Sequence, residues 1–503
     1  MLIKKLTEGD FPERAFSLSV KSGIAILAAL VVAVVVSRVM FPFEAGPAEA
    51  FSWVPAQHLL GGENPYSFAT TPPYSMAPYG IVYYAILAVG LGFFGPQLWF
   101  GRLLAVVAFC VCVWAVGKIT RKLTGGGISV WAACLFALAL FPGQTWIAVM
   151  RSDMFAVAFA LAAVYIVFTY EDNESLGPLK IVGMVLLTTA ALFTKQTILL
   201  PFGIIVLRLI QLSRWRDAII FLGSFLGLSG LSMLLLNQTS EGGYFWQHFT
   251  HAERLPFSFE GFREQVWSLL TQPTTVLAGL FVAICAYKII FSADRPKFLD
   301  RLRSPELLML FYLCISVTWA AISVSRVGAG ANYFLEAAFI LSVVCALILA
   351  NLVQSGRQRP AFALIAVMIF GGIFQLARVS RGEYFRWNAL SYFQELSETA
   401  SRHSGPGSAC VSVYASLVIP NGCELHFDDY SEYGNTWAPE LANIFEQEVK
   451  SGKYAVIIWS ENDFFETVPQ YRRVQTSNAV PERISPAFIY VRESMTVESG
   501  SPP

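Results

Sequence analysis

The sequence predicts a polytopic α-helical membrane protein of about eleven transmembrane helices, with an outer-face juxtamembrane helix and a small C-terminal soluble α/β domain. Of the 503 residues, 55% are apolar and 14% are charged, whereas an ordinary soluble domain has about 25% charged residues. A membrane span needs about 20 apolar residues, and such stretches recur along most of the chain. This composition excludes a disordered chain, a coiled coil and a cytosolic enzyme. The zero net charge supplies no basic field for nucleic acid.

The first predicted span follows a basic segment that contains Lys4, Lys5, Arg14 and Lys21, and its apolar run covers 24–36. No small-residue cleavage site follows this run closely, so we predict an uncleaved span with a cytoplasmic N-terminus. The later predicted spans are 99–117, 127–147, 154–170, 180–194, 197–212, 218–236, 273–290, 306–324, 333–350 and 361–377.

The apolar segment 80–97 decides the topology, because a further crossing there would invert every later loop. If it does not cross, most Lys and Arg residues of the later loops lie on the cytoplasmic side, as the positive-inside rule requires. We therefore predict that 80–97 is an outer-face helix within a first external loop over 42–98. The transmembrane domain then covers 1–379, and 380–503 lies outside.

The segment 380–503 alternates polar and apolar residues, which is typical of a soluble domain. Short strand-like runs at 409–414, 454–459 and 487–492 flank a predicted helix over Pro439–Lys450. Cys410 and Cys423 both belong to this segment and could form a disulfide in an oxidising compartment. No cysteine spacing resembles a zinc site.

Ionisable side chains are costly at membrane depth and therefore mark candidate functional sites. In the predicted topology, four external connections place polar groups at the outer ends of spans. These groups are Glu44, Glu49, Arg151, Asp153, Lys195, Gln196, Arg326, Asn332, Tyr333 and Glu336. Each alone has a structural explanation, such as helix capping, mutual pairing or contact with lipid headgroups. Together they suit a reaction between a hydroxyl and a phosphate-bearing lipid, because a carboxylate can take the proton and cations can hold the phosphate.

Four sequence blocks carry a family resemblance. They are P-F-E-A-G-P-A-E-A (42–50) with A-Q-H-L-L-G-G-E-N-P-Y (56–66), F-G-P-Q-L-W-F-G-R-L-L (94–104), M-R-S-D-M (150–154), and F-T-K-Q-T (193–197) with G-A-N-Y-F-L-E (330–336). In their order and spacing the chain resembles the GT-C superfamily of integral-membrane glycosyltransferases. The nearest subset is the bacterial group related to protein O-mannosyltransferases and the lipid A aminoarabinose transferase.

The resemblance implies a multi-pass protein of the bacterial inner membrane, with a periplasmic active site and C-terminal domain and a polyprenyl-phosphate-linked sugar donor. It assigns the first-loop acid to Glu49. Glu44 is the alternative, because Ala48 leaves the family's Asp-Glu pair incomplete. The acid of the second external loop is Asp153. Some GT-C members use this acid for a divalent cation and others need none. The lack of a neighbouring D-x-D favours the metal-free case, with a divalent cation as the alternative.

The resulting hypothesis is an inverting glycosyl transfer in which Glu49 deprotonates the acceptor hydroxyl and Asp153 orients the acceptor or the sugar. The predicted substrate- and phosphate-binding residues are Arg151, Lys195, Gln196, Arg326, Asn332, Tyr333 and Glu336. The acceptor could be a glycan, a lipid or a protein, and the sugar is open. Two alternatives belong to other classes: a transporter of lipid-linked sugars or solutes, and a non-catalytic GT-C-like scaffold.

Overall fold

Long apolar helices make up most of the computed structural model. It describes residues 10–44, 49–67, 77–140, 143–169, 177–250, 257–291, 304–326, 330–412, 414–427, 439–459, 468–474 and 487–492. The helices that precede the C-terminal domain are α1 (Asp10–Met40), α2 (Ala50–Leu60), α3 (Ile81–Phe94), α4 (Leu98–Thr124), α5 (Ile128–Ala139), α6 (Ser152–Phe168), α7 (Pro178–Leu192), α8 (Leu200–Gln211), α9 (Trp215–Thr239), α10 (Phe259–Leu270), α11 (Pro273–Phe291), α12 (Pro305–Ser323), α13 (Leu335–Gln354) and α14 (Gln358–Asn388).

Six helices in the described part of the chain are long and apolar enough to cross a membrane, and the bent pair α10–α11 could be a seventh span. The chain is therefore a multi-pass membrane protein. Five other apolar helices have 10–17 residues, and at 1.5 Å per residue these are shorter than a hydrocarbon core of about 30 Å. The number eleven therefore stays a prediction.

Helix α5 is shorter than the predicted span 127–147. It ends at Ala139, and Leu140 has extended backbone with φ −83° and ψ 133°. Pro142 follows two residues later in the sequence, and proline cannot continue a helix without loss of a backbone hydrogen bond. A short helical turn, Gly143–Trp146, then leads toward α6.

Helix α13 is the centre of the transmembrane core. Its 18-residue apolar window is 89% buried, and it packs against α4, α5 and α12. An all-round apolar helix of this kind belongs inside a bundle rather than on its lipid-facing surface. Packing against these neighbouring helices fixes the position of the N-terminal end of α13, which carries predicted site residues.

Helix α3 falls within the segment that we predicted to be an outer-face helix. It has 14 residues, begins after Gly80 and packs along α2. A helix of this length spans about 21 Å, which is less than the hydrocarbon core. Its place on the outer face stays a prediction, because α5 and α8, with 12 residues each, are even shorter.

The C-terminal domain is a five-stranded mixed sheet with helices α15 (Leu390–His403) and α16 (Pro439–Lys450). Its strands are β1 (Ala409–Ser412), β2 (Glu424–Phe427), β3 (Val456–Trp459), β4 (Tyr471–Val474) and β5 (Phe488–Arg492), in the order β2-β1-β3-β5-β4. Strand β1 pairs in parallel with β2 and β3, and β5 is antiparallel to β3 and β4. The three predicted strands and the predicted helix are confirmed, whereas β2 and β4 were not predicted. Cys410 in β1 and Cys423 just before β2 form a disulfide.

Candidate active site

Asp153 joins three segments that are far apart in sequence. Its Oδ1 atom accepts hydrogen bonds from Lys195 Nζ and, at 2.5 Å, from Asn332 Nδ2. Its Oδ2 atom accepts a bond of 3.0 Å from Arg151 Nε. Asp153 opens α6, Lys195 lies between α7 and α8, and Asn332 lies just before α13. The structure therefore brings together four residues that the sequence placed at one membrane level.

Arg151 is sandwiched between aromatic side chains. Its guanidinium carbon lies 5.5 Å from the ring centroid of Tyr79 and 5.0 Å from that of Trp146, and its Nη2 donates to the Tyr79 hydroxyl. Burial alone would lower the pKa of Arg151, but Tyr79 and Asp153 outweigh it and raise that pKa above its usual value. Arg151 is therefore a permanent cation at this site.

Lys195 is a buried cation beside a second aromatic ring. Its side chain is 4% exposed, and Nζ lies 4.1 Å from the ring centroid of Tyr333. Such a cation–π contact offsets part of the cost of burying an ammonium group. A charge buried at this position is little screened by solvent.

The turn that contains Lys195 is hydrogen-bonded to the start of α3. The amides of Gly80 and Val82 donate to the carbonyls of Thr194 (3.1 Å) and Phe193 (2.9 Å). Gln196 Nε2 donates to the Pro78 carbonyl at 2.9 Å. A Cβ atom on Gly80 would lie 1.9 Å from the Phe193 carbonyl oxygen, so no other residue type fits without movement. This contact sets Tyr79 and Lys195 side by side.

A buried cluster behind Tyr79 holds its backbone in place. The hydroxyl of Tyr66 donates to the Tyr79 carbonyl at 2.7 Å, and His248 Nε2 lies 3.3 Å from the same oxygen. His248 Nδ1 lies 3.1 Å from the carbonyl of Tyr244. Burial lowers the pKa of His248 to about 4, so the imidazole is neutral at pH 7. No motif in the sequence indicates this role for His248.

Glu336 lines a small pocket together with Asp153, Lys195, Asn332 and Tyr333. Its side chain lies in the first turn of α13, and Oε1 accepts a hydrogen bond of 2.5 Å from the Tyr312 hydroxyl. The pocket is thus lined by two carboxylates, a cation, and amide and aromatic groups. Such convergent polar groups in a concave apolar setting are typical of small-molecule sites.

Glu49 occupies a different, fully buried setting. Its two carboxylate oxygens receive Arg102 Nε at 3.0 Å and Arg102 Nη2 at 2.7 Å, and Oε1 also accepts the Met150 amide at 2.8 Å. Arg102 further donates to the carbonyls of Arg38 (2.7 Å), Phe41 (2.5 Å) and Phe43 (2.6 Å). All five N–H groups of the guanidinium are used. Arg102 was not among the predicted site residues, although a charge inside an apolar helix is a signal that the sequence does show.

Glu44 and Arg326 have contacts of a different kind. Glu44 Oε2 accepts the Ser416 amide at 3.0 Å and the Ser416 hydroxyl at 3.2 Å, which ties the first loop to the C-terminal domain. Arg326 is exposed and forms a backbone bridge with Phe257. Of the residues that the structure describes, those lining the small pocket do not include Arg326.

The described residues contain no group of three His, Cys, Asp or Glu side chains placed to hold a metal ion. Asp153, which the resemblance connects with a metal in some relatives, is engaged here by two cations and an amide. The cluster is thus arranged to attract an anion.

An apolar groove begins close to Lys195. Helices α3, α7 and α9 line it through Ile81, Val82, Leu186, Thr189, Ala190, Phe193, Ser232, Leu235 and Leu236. Phe193 stands two residues before Lys195, so the groove and the cationic cluster share one segment of the chain.

Residues 77–236 match the family model for dolichyl-phosphate-mannose-protein mannosyltransferase. The fold is similar to the crystal structure of ArnT from Cupriavidus metallidurans bound to undecaprenyl phosphate, with a TM-score of 0.63 and 13% identity over 94% of this chain and 98% of that one. The chain has the GT-C fold. The apo state of the same ArnT gives a TM-score of 0.52 and 14% identity over 93% of this chain and 98% of that one. Comparison with curated protein sequences yields no match.

The GT-C fold confirms the predicted resemblance and the predicted fold class. Both ArnT structures are matched over nearly their whole length, so the likeness includes the C-terminal domain as well as the membrane bundle. The matched family segment contains Tyr79, Arg102, Arg151, Asp153 and Lys195. Asn332 and Glu336 lie beyond it, and the tertiary structure brings them to the pocket that Asp153 and Lys195 line.

Proposed function

We propose that the protein is a glycosyltransferase that moves a sugar from a polyprenyl-phosphate-linked donor to an acceptor hydroxyl on the periplasmic face of the inner membrane. One observation carries the proposal: Arg151, Asp153, Lys195 and Asn332 converge in one buried cluster from three distant segments. The cluster has two cations for one carboxylate, and this excess suits the phosphate of a lipid-linked donor.

Arg151 and Lys195 would bind the phosphate and stabilise the charge that builds on it as the bond to the sugar breaks. Their aromatic neighbours, Tyr79 and Tyr333, limit the water that could screen this charge. Asp153 would hold both cations in place and, with Asn332 and Gln196, orient the sugar. Arg326 does not line the pocket, so its proposed role is only to attract the anionic donor toward the site.

The apolar groove supports a lipid-linked donor. It is bounded by α7 and reaches Phe193, so an isoprenoid chain lying in it would bring its phosphate toward Lys195. The ArnT crystal structure with the similar fold is bound to undecaprenyl phosphate. We therefore propose a polyprenyl phosphate of this kind as the carrier.

The base is a separate question, since the resemblance assigns it to Glu49 or Glu44. Glu49 is 0% exposed and pairs in bidentate fashion with Arg102, so it could take a proton only after this pair opened. Glu44 is bound to Ser416 of the C-terminal domain. These contacts support a positioning role for Glu49 and a docking role for Glu44.

A transfer assay tests the proposal. Purified protein in detergent is incubated with radiolabelled undecaprenyl-phosphate hexoses and pentoses and with extracted envelope lipids, glycans and proteins as acceptors. We expect transfer from one donor, with at least a 100-fold loss in Lys195→Gln and little change in the exposed control Lys21→Gln. Folded protein that transfers sugar from none of these donors, or a Lys195→Gln variant with wild-type activity, would contradict the proposal.

A further inference from the structure

Three buried carboxylates lie near the candidate site, and their partners differ. Glu49 pairs with Arg102, and Asp153 pairs with Lys195 and Arg151. Glu336, which is 3% exposed, accepts a hydrogen bond from the neutral hydroxyl of Tyr312. No lysine or arginine among the described residues forms an ion pair with Glu336.

This difference in partners decides which acid can accept a proton. Cations favour the ionised form of a carboxylate and make it a poor proton acceptor, whereas burial without an ion-pair partner favours the protonated form. A general base works best when its proton affinity matches the working pH. Glu336 therefore has the most suitable surroundings of the three.

We propose that Glu336 is the general base that removes the proton from the acceptor hydroxyl. This inference rests on the proposed glycosyl transfer and changes the role that the sequence analysis predicted for Glu336, which was substrate binding. It places the base in the same pocket as Lys195 and Asp153, in the first turn of the largely buried helix α13.

The hydrogen bond from Tyr312 fixes the orientation of the Glu336 carboxylate. Tyr312 lies in α12, 24 positions before Glu336, and its hydroxyl occupies Oε1. Among the described residues Oε2 makes no hydrogen bond, so Oε2 is the oxygen that would face the acceptor. Tyr312 is thus a positioning residue for the base.

The reaction step balances with these groups. The acceptor oxygen forms a bond to the anomeric carbon while its proton moves to Glu336 Oε2. The bond between the anomeric carbon and the phosphate oxygen breaks, and its electron pair leaves on the polyprenyl phosphate. Arg151 and Lys195 stabilise the new charge on that phosphate. Glu336 then releases the proton to water.

The pH dependence of Glu336→Gln tests the proposal. We expect kcat of sugar transfer to fall about 100- to 10,000-fold, the usual contribution of a general base. The acid limb of the kcat/KM profile should disappear, while binding of undecaprenyl phosphate alone stays within threefold of wild type. Tyr312→Phe retains the carboxylate and should keep the acid limb with a loss below about tenfold. The matched control is Glu306→Gln, an exposed carboxylate on α12, which should behave like wild type.

The outcomes separate the base from the overall function. A Glu336→Gln variant that keeps the acid limb, or that loses undecaprenyl phosphate binding in step with kcat, would show that Glu336 is structural. If Glu49→Gln rather than Glu336→Gln removed the acid limb, the base would be Glu49. Wild-type protein that turns over no donor would contradict the transferase proposal and the base together.

Discussion

Arg102 joins the end of α1, the first loop and the turn before α6 through one guanidinium group. It binds the carbonyls of Arg38, Phe41 and Phe43 together with Glu49, and Glu49 in turn holds the Met150 amide. Arg151, the next residue, carries the cation of the candidate site. Glu49 and Arg102 therefore act as a clamp that positions Arg151 and Asp153 from outside the pocket.

Breaking the Glu49–Arg102 pair should destabilise the protein and displace Arg151 and Asp153 together. We expect Arg102→Gln to lower the melting temperature clearly, because removing one partner of a buried ion pair costs about 3–5 kcal/mol. Arg263→Gln, which breaks an exposed pair with Glu260, should leave it nearly unchanged. The measurement is thermal unfolding in detergent, and equal melting temperatures for the two variants would argue against the clamp.

A double-mutant cycle separates a positioning role of Glu49 from a direct one. If Glu49 acts through Arg102, the double variant Glu49→Gln/Arg102→Gln should transfer sugar no more slowly than Arg102→Gln alone. A further tenfold loss in the double variant would mean that Glu49 contributes separately, for instance as the base. The assay is sugar transfer by purified protein, with folded fraction checked by gel filtration.

At the level of elements, the close approach of α3 to the α7–α8 turn sets the geometry of the cationic cluster. We expect Gly80→Ala to separate the two segments, since its Cβ would meet the Phe193 carbonyl oxygen. Affinity for undecaprenyl phosphate should fall at least tenfold, because Tyr79 and Lys195 would no longer be held in their present relative positions. Gly203→Ala in α8, where nothing lies within 4 Å of the added atom, should bind normally. Normal binding by Gly80→Ala would refute this account.

The π-helical segment Trp246–Thr250 gives the fold a sensitivity to acid. His248 has a pKa of about 4 in the folded protein and about 6.5 when unfolded. Because the folded-state pKa is depressed, the contribution of His248 to the free energy of unfolding is fully present above pH 6.5. It falls as pH drops toward 4, by up to roughly 3 kcal/mol.

The melting temperature of wild type should therefore fall more steeply between pH 7 and 4.5 than that of His248→Gln. The exposed control His403→Gln should follow wild type, and parallel curves for all three proteins would exclude His248 as the cause.

The elements that the sequence predicted well are those whose burial pattern is local. Apolar runs indicated the helices of the bundle, and the predicted topology placed Asp153, Lys195 and Asn332 at one membrane level. The Glu49–Arg102 ion pair could not be predicted from local sequence patterns, because the two residues are 53 positions apart and no periodicity connects them. Strands β2 and β4 have four residues each; E-L-H-F alternates over too few residues to mark a strand by itself, and Y-R-R-V does not alternate. Their pairing is decided by β1 and β5 rather than by their own residues.

On the scale of the whole molecule, the C-terminal domain and the membrane bundle share one apolar cluster. Phe41, Phe43 and Trp53 of the first loop region pack with Tyr392 and Phe393 of α15 in this cluster. Arg38 at the end of α1 also pairs with Glu383 of α14 at 2.8 Å. The domain is therefore docked on the same loop that carries Glu44 and Glu49, and its docking can influence the site through that loop.

The contact between Ser416 and Glu44 offers a way to test whether docking matters for transfer. Ser416→Glu would set two carboxylates against each other at a buried position, so we expect the domain to loosen from the first loop. Hydrogen exchange in 409–427 should rise and sugar transfer should fall, while undecaprenyl phosphate binding at the Asp153 cluster stays close to wild type. Ser401→Glu, at an exposed position on α15, adds the same charge to the same domain without facing Glu44, and should change neither. If Ser416→Glu loosened the domain and left transfer intact, the domain would have no part in the reaction. If it abolished lipid binding as well, the first loop would couple the domain to the donor site directly.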